Sequence, residues 1–325
     1  MIVPAHWAEA RLQQRDGGRQ VTVRRWGWSD IGPAEAQAHA EQRAREAMVR
    51  ILAGEALPRR ERKQAYNGAD GVPIREEILE RHGDAVITRN GYGARCLNVA
   101  DVLFADIDFE PDPRPATVRR VGIALLAVAA AIGLARESWM AAAFAAFVAL
   151  TIAYPLAKAL HRARIARRGG DERVALARVD ALLADHPQAR VRVYRTPAGL
   201  RVAALHRRFD PNEPAALDWF ERLRVDPTYA RMCRRQRCFR ARLTAKPWRI
   251  GIAAHLRPRP GVWPVAADKR PLRERWVVDY EARARDYAAC RLLAERGAGA
   301  ADPAALRVVD LHDRLCGADG TRPIA

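Results

Sequence analysis

Acidic side chains are in short supply in this chain. Asp and Glu number 38 against 56 Lys and Arg, for a net charge of +18 at neutral pH. Such a balance favours phosphate-rich partners or anionic lipid. Arginine and alanine are used heavily throughout, so where the charge sits matters more than its sum. Cysteine is sparse too: Cys96, Cys233, Cys238, Cys290 and Cys316. The odd count and scattered spacing exclude a disulfide framework. Cys233 and Cys238 stand in a basic segment, but two further zinc ligands at a sensible spacing are not apparent. Reduced thiols accord with a cytoplasmic setting. Met1 to Asp16 lacks the basic-then-apolar pattern of a signal peptide. The chain has no Gly-x-Ser-x-Gly elbow, no Gly-Lys-Ser/Thr loop and no internal repeat, so serine-hydrolase and P-loop chemistry have no support.

What the chain does have is an apolar double run in its middle. Val121–Ala135 and Ser138–Ala157 are broken only by Arg136-Glu137. Arg114, Arg119 and Arg120 precede the pair; Lys158, Arg162, Arg164, Arg167 and Arg168 follow it. Loops rich in Lys and Arg stay in the cytoplasm, so the pattern predicts a membrane hairpin with both chain ends cytoplasmic, in the inner (cytoplasmic) membrane. A span needs about 20 apolar residues, and the first run has 15. Snorkelling by Arg119, Arg120 and Arg136 closes much of that gap. The competing reading is an Ala-rich helical hairpin buried in a soluble domain.

Around the hairpin the pattern predicts one interrupted α+β domain, a small mixed sheet with flanking helices. Residues 1–115 supply N-terminal helices and the first strands, 116–170 the hairpin with its basic flanks, and 171–325 the remaining strands and C-terminal helices. Residues 1–32 look irregular. Helices are expected at 33–53, 73–81, 171–186, 215–224, 274–296 and 303–316. Strands are expected at 84–88, 94–99, 101–109, 191–195 and 200–206.

Asp106 and Asp108 lie two apart in the strand Asp-Val-Leu-Phe-Ala-Asp-Ile-Asp-Phe, on one face. Paired carboxylates repel unless a cation lies between them, and Mg²⁺ or Mn²⁺ is the usual resolution. The bland alternative is a carboxylate pair that is solvated or matched to arginine. Haloacid-dehalogenase-type phosphatases share an Asp-x-Asp strand, but follow it with Thr or Val where this chain has Phe109-Glu110. Diguanylate cyclases also carry such a strand, with a later Gly-Gly-Asp-Glu turn. Gly169-Gly170-Asp171-Glu172 matches those letters, but between a helix exit and an amphipathic helix.

A third resemblance covers more of the chain. Asp-x-Asp at 106–108, the helix Val179–His186, and the strand, turn and strand of Val191–Val202 are together similar to the core of archaeo-eukaryotic primase-like polymerases. The resemblance implies a nucleotidyltransferase-like, nucleotide-binding and metal-binding domain. Asp106 and Asp108 would hold Mg²⁺ or Mn²⁺, and Thr196 and Gly199 would shape a phosphate-facing turn. Arg201 stands where the family has its His, and His206 lies further along the strand. Asp218 and Asp279 are candidates for a third acidic ligand.

Tyr229–Arg249 contains eight Lys or Arg and no acid. Arg forks suit phosphate oxygens, and the interleaved Phe239 and Trp248 offer stacking faces. Alternation in Phe239–Leu243 predicts a strand with Arg240 and Arg242 on one face. With Lys246 and Arg249 they form the expected nucleotide or nucleic-acid contact; lying on membrane lipid is the alternative. Leu311-His312-Asp313 could orient a base, but a helix surface is the preferred reading. Two functions therefore stand side by side: a membrane-anchored phosphoryl or nucleotidyl transferase, and a non-catalytic membrane-associated scaffold with a lipid-facing basic surface.

Overall fold

The computed structural model describes residues 1–61 and 72–325. Its class is α+β, with strands distributed over three small antiparallel sheets. The chain divides into two compact units: residues 107–182 with 198–200, and the remainder.

In the larger unit, β1 (His6–Asp16) and β2 (Arg19–Ser29) form a full-length hairpin where the sequence looked irregular. Its two-residue loop is Gly17-Gly18, with φ of 51° and 78°, the left-handed pair that a tight hairpin turn favours. Val21, Val23, Arg25 and Gly27 alternate inward along β2; an arginine and a glycine in that row hid the period-2 signal. Helix α1 (Pro33–Leu52) covers the hairpin with buried Ala36, Ala40 and Ala44. It lies so close that a Cβ on Gly27 would fall 2.1 Å from the Ala40 backbone nitrogen.

The second sheet runs β3 (Glu77–His82), β4 (Ala85–Arg89), β5 (Arg95–Val99) and β9 (Phe239–Arg242). Residues 73–81, expected as helix, contribute most of β3. Glu and Leu there favour helix locally, but pairing with β4 outweighs that preference. The third sheet has the order β10 (Arg291–Arg296), β7 (Val191–Thr196), β8 (Gly199–Ala204), β6 (Phe104–Asp108). The division between units falls within β6 and β8. Helices α5 (Pro214–Leu223), α6 (Pro227–Gln236) and α8 (Pro303–Cys316) complete the larger unit with α7 (Arg270–Ala284). The expected helix 274–296 therefore stops at Ala284. Its end is instead the edge strand β10, held by antiparallel pairing to β7.

The smaller unit holds α2 (Pro115–Ala135) and α3 (Trp139–Arg167), both long and apolar enough to cross a membrane. Ser138 caps α3 by accepting the Ala141 N–H at 3.3 Å, and Glu137 takes the left-handed turn position with φ 47°. The pair packs through small residues: Ala129, Gly133, Ala149 and Ala153 are buried. The large side chains point away; Leu134 is 80% exposed and Phe144 71%. A soluble core hairpin would show the reverse. At its open end, Lys158 pairs with Asp112 at 2.6 Å and Arg178 with Glu110 at 2.7 Å. Helix α4 (Gly170–Asp185) follows, so the Gly-Gly-Asp-Glu run forms its first turn, with Gly169 just before it, and is not in a hairpin turn.

Candidate functional site

Strand β6 buries Phe104, Ala105 and Ile107 and leaves the Asp106 side chain half-exposed and Asp108 exposed. Beneath Asp106 lies Arg201 of β8, 1% exposed. Its Nε donates to Asp106 Oδ1 at 2.7 Å and its Nη2 to Oδ2 at 3.1 Å. This two-pronged fork is the strongest geometry an arginine and a carboxylate can make. Burial would raise the Asp106 pKa, but the Arg201 charge and hydrogen bonds outweigh it and hold the carboxyl below the usual aspartate range. Burial likewise works against the Arg201 charge, and Asp106 reverses that, pushing its pKa upward. The Arg201 guanidinium thus gives Asp106 a positive partner, the arginine-matched alternative that the sequence left open beside a divalent ion.

Arg201 has further partners. Nη1 donates to the Arg242 carbonyl of β9 at 2.8 Å and lies 3.1 Å from His312 Nε2 of α8. Because a guanidinium only donates, Nε2 is the acceptor; Nδ1 then carries the proton shared with Asp313 Oδ1 at 2.8 Å. The edge strands of two sheets, β6 and β9, are bridged here. Tyr229 makes a second bridge, its hydroxyl 2.8 Å from the carbonyls of both Phe104 and Arg240.

The basic segment forms the expected strand, but burial along it does not alternate: Arg240 is buried together with Phe239 and Ala241. Arg240 is 7% exposed and pairs with buried Glu76 at 2.5 Å. Glu76 also accepts from Thr88, which accepts from Asn98. This polar layer within the second sheet is satisfied by its own members. Arg242 is half-buried and donates to the Thr244 carbonyl at 2.7 Å. Lys246 Nζ sits 5.4 Å from the Trp248 ring, which is 46% exposed and stacks on His255. Arg249 ends the short turn Pro247–Arg249 and is half-buried.

Thr196 is buried at the end of β7. Gly199 has no room for a side chain, since a Cβ would lie 2.0 Å from the Ile107 carbonyl; strand packing accounts for that glycine. His206 is half-buried and stacks on Trp219 at 5.4 Å. Burial lowers its pKa, and a bond to the Arg190 carbonyl offsets only part of that. Among the expected site residues, the fold brings Asp106, Arg201 and the Arg242 backbone together. It directs Arg240 to Glu76 and His206 to an aromatic cluster.

Sequence reasoning missed the group behind Arg201. His312 is fully buried, flanked by the Phe104 and Tyr194 rings at 5.0 Å each. Asp313, also buried, pairs with Arg192 at 2.9 Å. Cys290 and Cys316 are buried beside it. The available signal was the stripe Val309, His312, Cys316 along α8, at helical spacing on one face. Cys290 comes from a different part of the chain and no spacing announces it. The chain matches no protein-family model, no curated protein and no solved structure.

Proposed function

We propose that this protein is a membrane-anchored, non-catalytic interaction protein, tied to the inner membrane by the α2–α3 hairpin with both chain ends cytoplasmic. The observation that carries the non-catalytic part is the Arg201 fork on Asp106, which gives that carboxylate its countercharge without a metal ion. Anchoring is supported by the hairpin's outward-facing large apolar side chains. Orientation is supported by the exposed Arg114, Arg119, Arg120, Arg162, Arg164, Arg167 and Arg168 around its open end. Basic residues at an anionic surface add about 1 kcal/mol each. The α+β domain then presents its surface to protein partners at the membrane.

The second reading is metal-assisted nucleotidyl transfer with Mg²⁺ or Mn²⁺ at Asp106 and Asp108. The exposure of Asp108 and of Trp248 beside Lys246 favours it. One experiment separates the two: nucleoside-triphosphate binding with and without Mn²⁺ by detergent-purified protein, beside Asp106→Ala/Asp108→Ala. The interaction reading predicts no saturable Mn²⁺-dependent binding. A saturable signal lost in the variant would establish the second reading.

A further inference from the structure

We propose that Cys290, His312 and Cys316 form a closed zinc site. One ligand atom from each lies within 4.8 Å of the others. All three residues are buried, and they come from two separate stretches of chain, so the fold itself assembles the set. Two thiolates and an imidazole are the donors that zinc prefers, and a site sealed from solvent is the structural kind.

The surroundings fit. His312 donates its Nδ1 proton to Asp313 at 2.8 Å, the carboxylate–histidine arrangement that orients a metal-binding imidazole and leaves Nε2, now accepting from Arg201, as its metal-binding atom. Asp313 is in turn held by Arg192 at 2.9 Å. Charge at the ligand set also balances: Zn²⁺ with two thiolates is neutral, and Asp106 offsets Arg201. A monovalent ion would leave the pocket with one uncompensated negative charge, which a buried site tolerates poorly.

Arg201 Nη1 is the one group that must give way, since it occupies the His312 Nε2 lone pair at 3.1 Å. The two bonds to Asp106 come from Nε and Nη2 and hold the guanidinium when it does; the Nη1 bond to the Arg242 carbonyl shifts with Nη1. Metal entry therefore exchanges one hydrogen bond for a coordinate bond and releases the two cysteine protons to solvent. The Arg242 carbonyl oxygen lies 3.7 Å from Cys316 Sγ, an oxygen donor beside the remaining coordination position. The site would staple the start of β10 to α8. This inference does not rest on the proposed function.

The test is metal content and a spectroscopic probe on the full-length protein in detergent. As purified, the protein should contain close to one zinc per chain. After stripping, Co²⁺ alone should give the intense thiolate-to-cobalt band at one equivalent, and Zn²⁺ should displace it. Cys290→Ser and Cys316→Ser should abolish the band, and Cys96→Ser, a buried cysteine outside the set, should keep it. Asp313→Asn should weaken Co²⁺ binding by about 10–100-fold. If the serine variants fail to fold, the wild-type titration still decides. A metal-free wild-type protein that shows no thiolate–cobalt band at saturating Co²⁺ overturns the site, as does a Cys290–Cys316 disulfide in the protein purified without reductant.

Discussion

The two units place their apolar side chains by opposite rules. In the α+β unit the large ones are inside: Phe104, Phe239, Leu97 and Tyr280 are all fully buried. In the hairpin the alanines are inside, and Trp139, Phe144, Phe147 and Leu150 are each 65% exposed or more. Polar groups differ as well. The α+β unit buries Arg201 and Arg240 and gives each a carboxylate, whereas the hairpin keeps its charges at its ends and in the connection. One surface is organised for water and a packed interior; the other is organised for a solvent as apolar as its own side chains.

The largest effect should come from the buried charge. Arg201→Leu leaves Asp106, the Arg242 carbonyl and His312 without their shared donor, and removing one partner of a buried pair costs about 3–5 kcal/mol. We expect Arg201→Leu to lose its cooperative urea transition or shift it far down, and Arg201→Leu/Asp106→Leu to recover part of the loss. Equal stability of Arg201→Leu and wild type would remove the fork from the account.

The hairpin should be insensitive to that change and sensitive to another. Phe144→Asp places a carboxylate on the outward face of the second turn of α3, within the apolar run, at up to about 2.5–3.5 kcal/mol for membrane insertion. Cell fractionation should show the variant shifting out of the membrane fraction, with the α+β unit still folded by circular dichroism. Retention of Phe144→Asp in the membrane would break the comparison.

Glycine substitutions sharpen it at a smaller scale. Gly27→Ala drives a Cβ into the α1 backbone, and Gly133→Ala drives one to 2.4 Å from the Ala142 Cβ. Overpacking of this kind costs about 1–3 kcal/mol. Gly122→Ala meets only the Ala153 Cβ at 3.8 Å and should be nearly neutral in thermal unfolding. Gly133→Ala should lower hairpin stability in the same detergent, and a Gly122 variant worse than the Gly133 variant would contradict the packing described.

The smallest effect is on pH dependence. Asp106 is held below its usual range by Arg201, after burial is offset. A depressed carboxyl contributes stability that is complete above the unfolded value, about 3.9, and is lost as pH falls through the folded value. Asp106→Asn should therefore flatten the acid limb of the stability curve below about pH 4 and leave the neutral region without slope. An unchanged acid limb would mean that other carboxylates dominate it.

Much of the frame was legible in the sequence. The hairpin, α1, α5, α8 and the strands around Asp106 follow from periodicity, caps and turn residues near their own positions. What escaped was set by partners distant in the chain. Residues 77–82 and 291–296 have helical composition and become strands because β4 and β7 pair with them. The inward turn of Arg240 depends on Glu76, 164 positions away. The Asp106 fork depends on Arg201, 95 positions away. The Cys290–His312–Cys316 group was invisible for the same reason. Its only local trace is the four-residue step on α8, which the adjoining Asp313 made look like a surface.

The measurement that tests the central claim most directly is alkaline-carbonate extraction of membranes from cells expressing the full chain. Protein that stays in the pelleted bilayer, and leaves it when Phe144→Asp is introduced, is the predicted result. Wild-type protein released quantitatively into the supernatant would contradict a lipid-embedded hairpin and return α2 and α3 to the surface of a water-soluble protein.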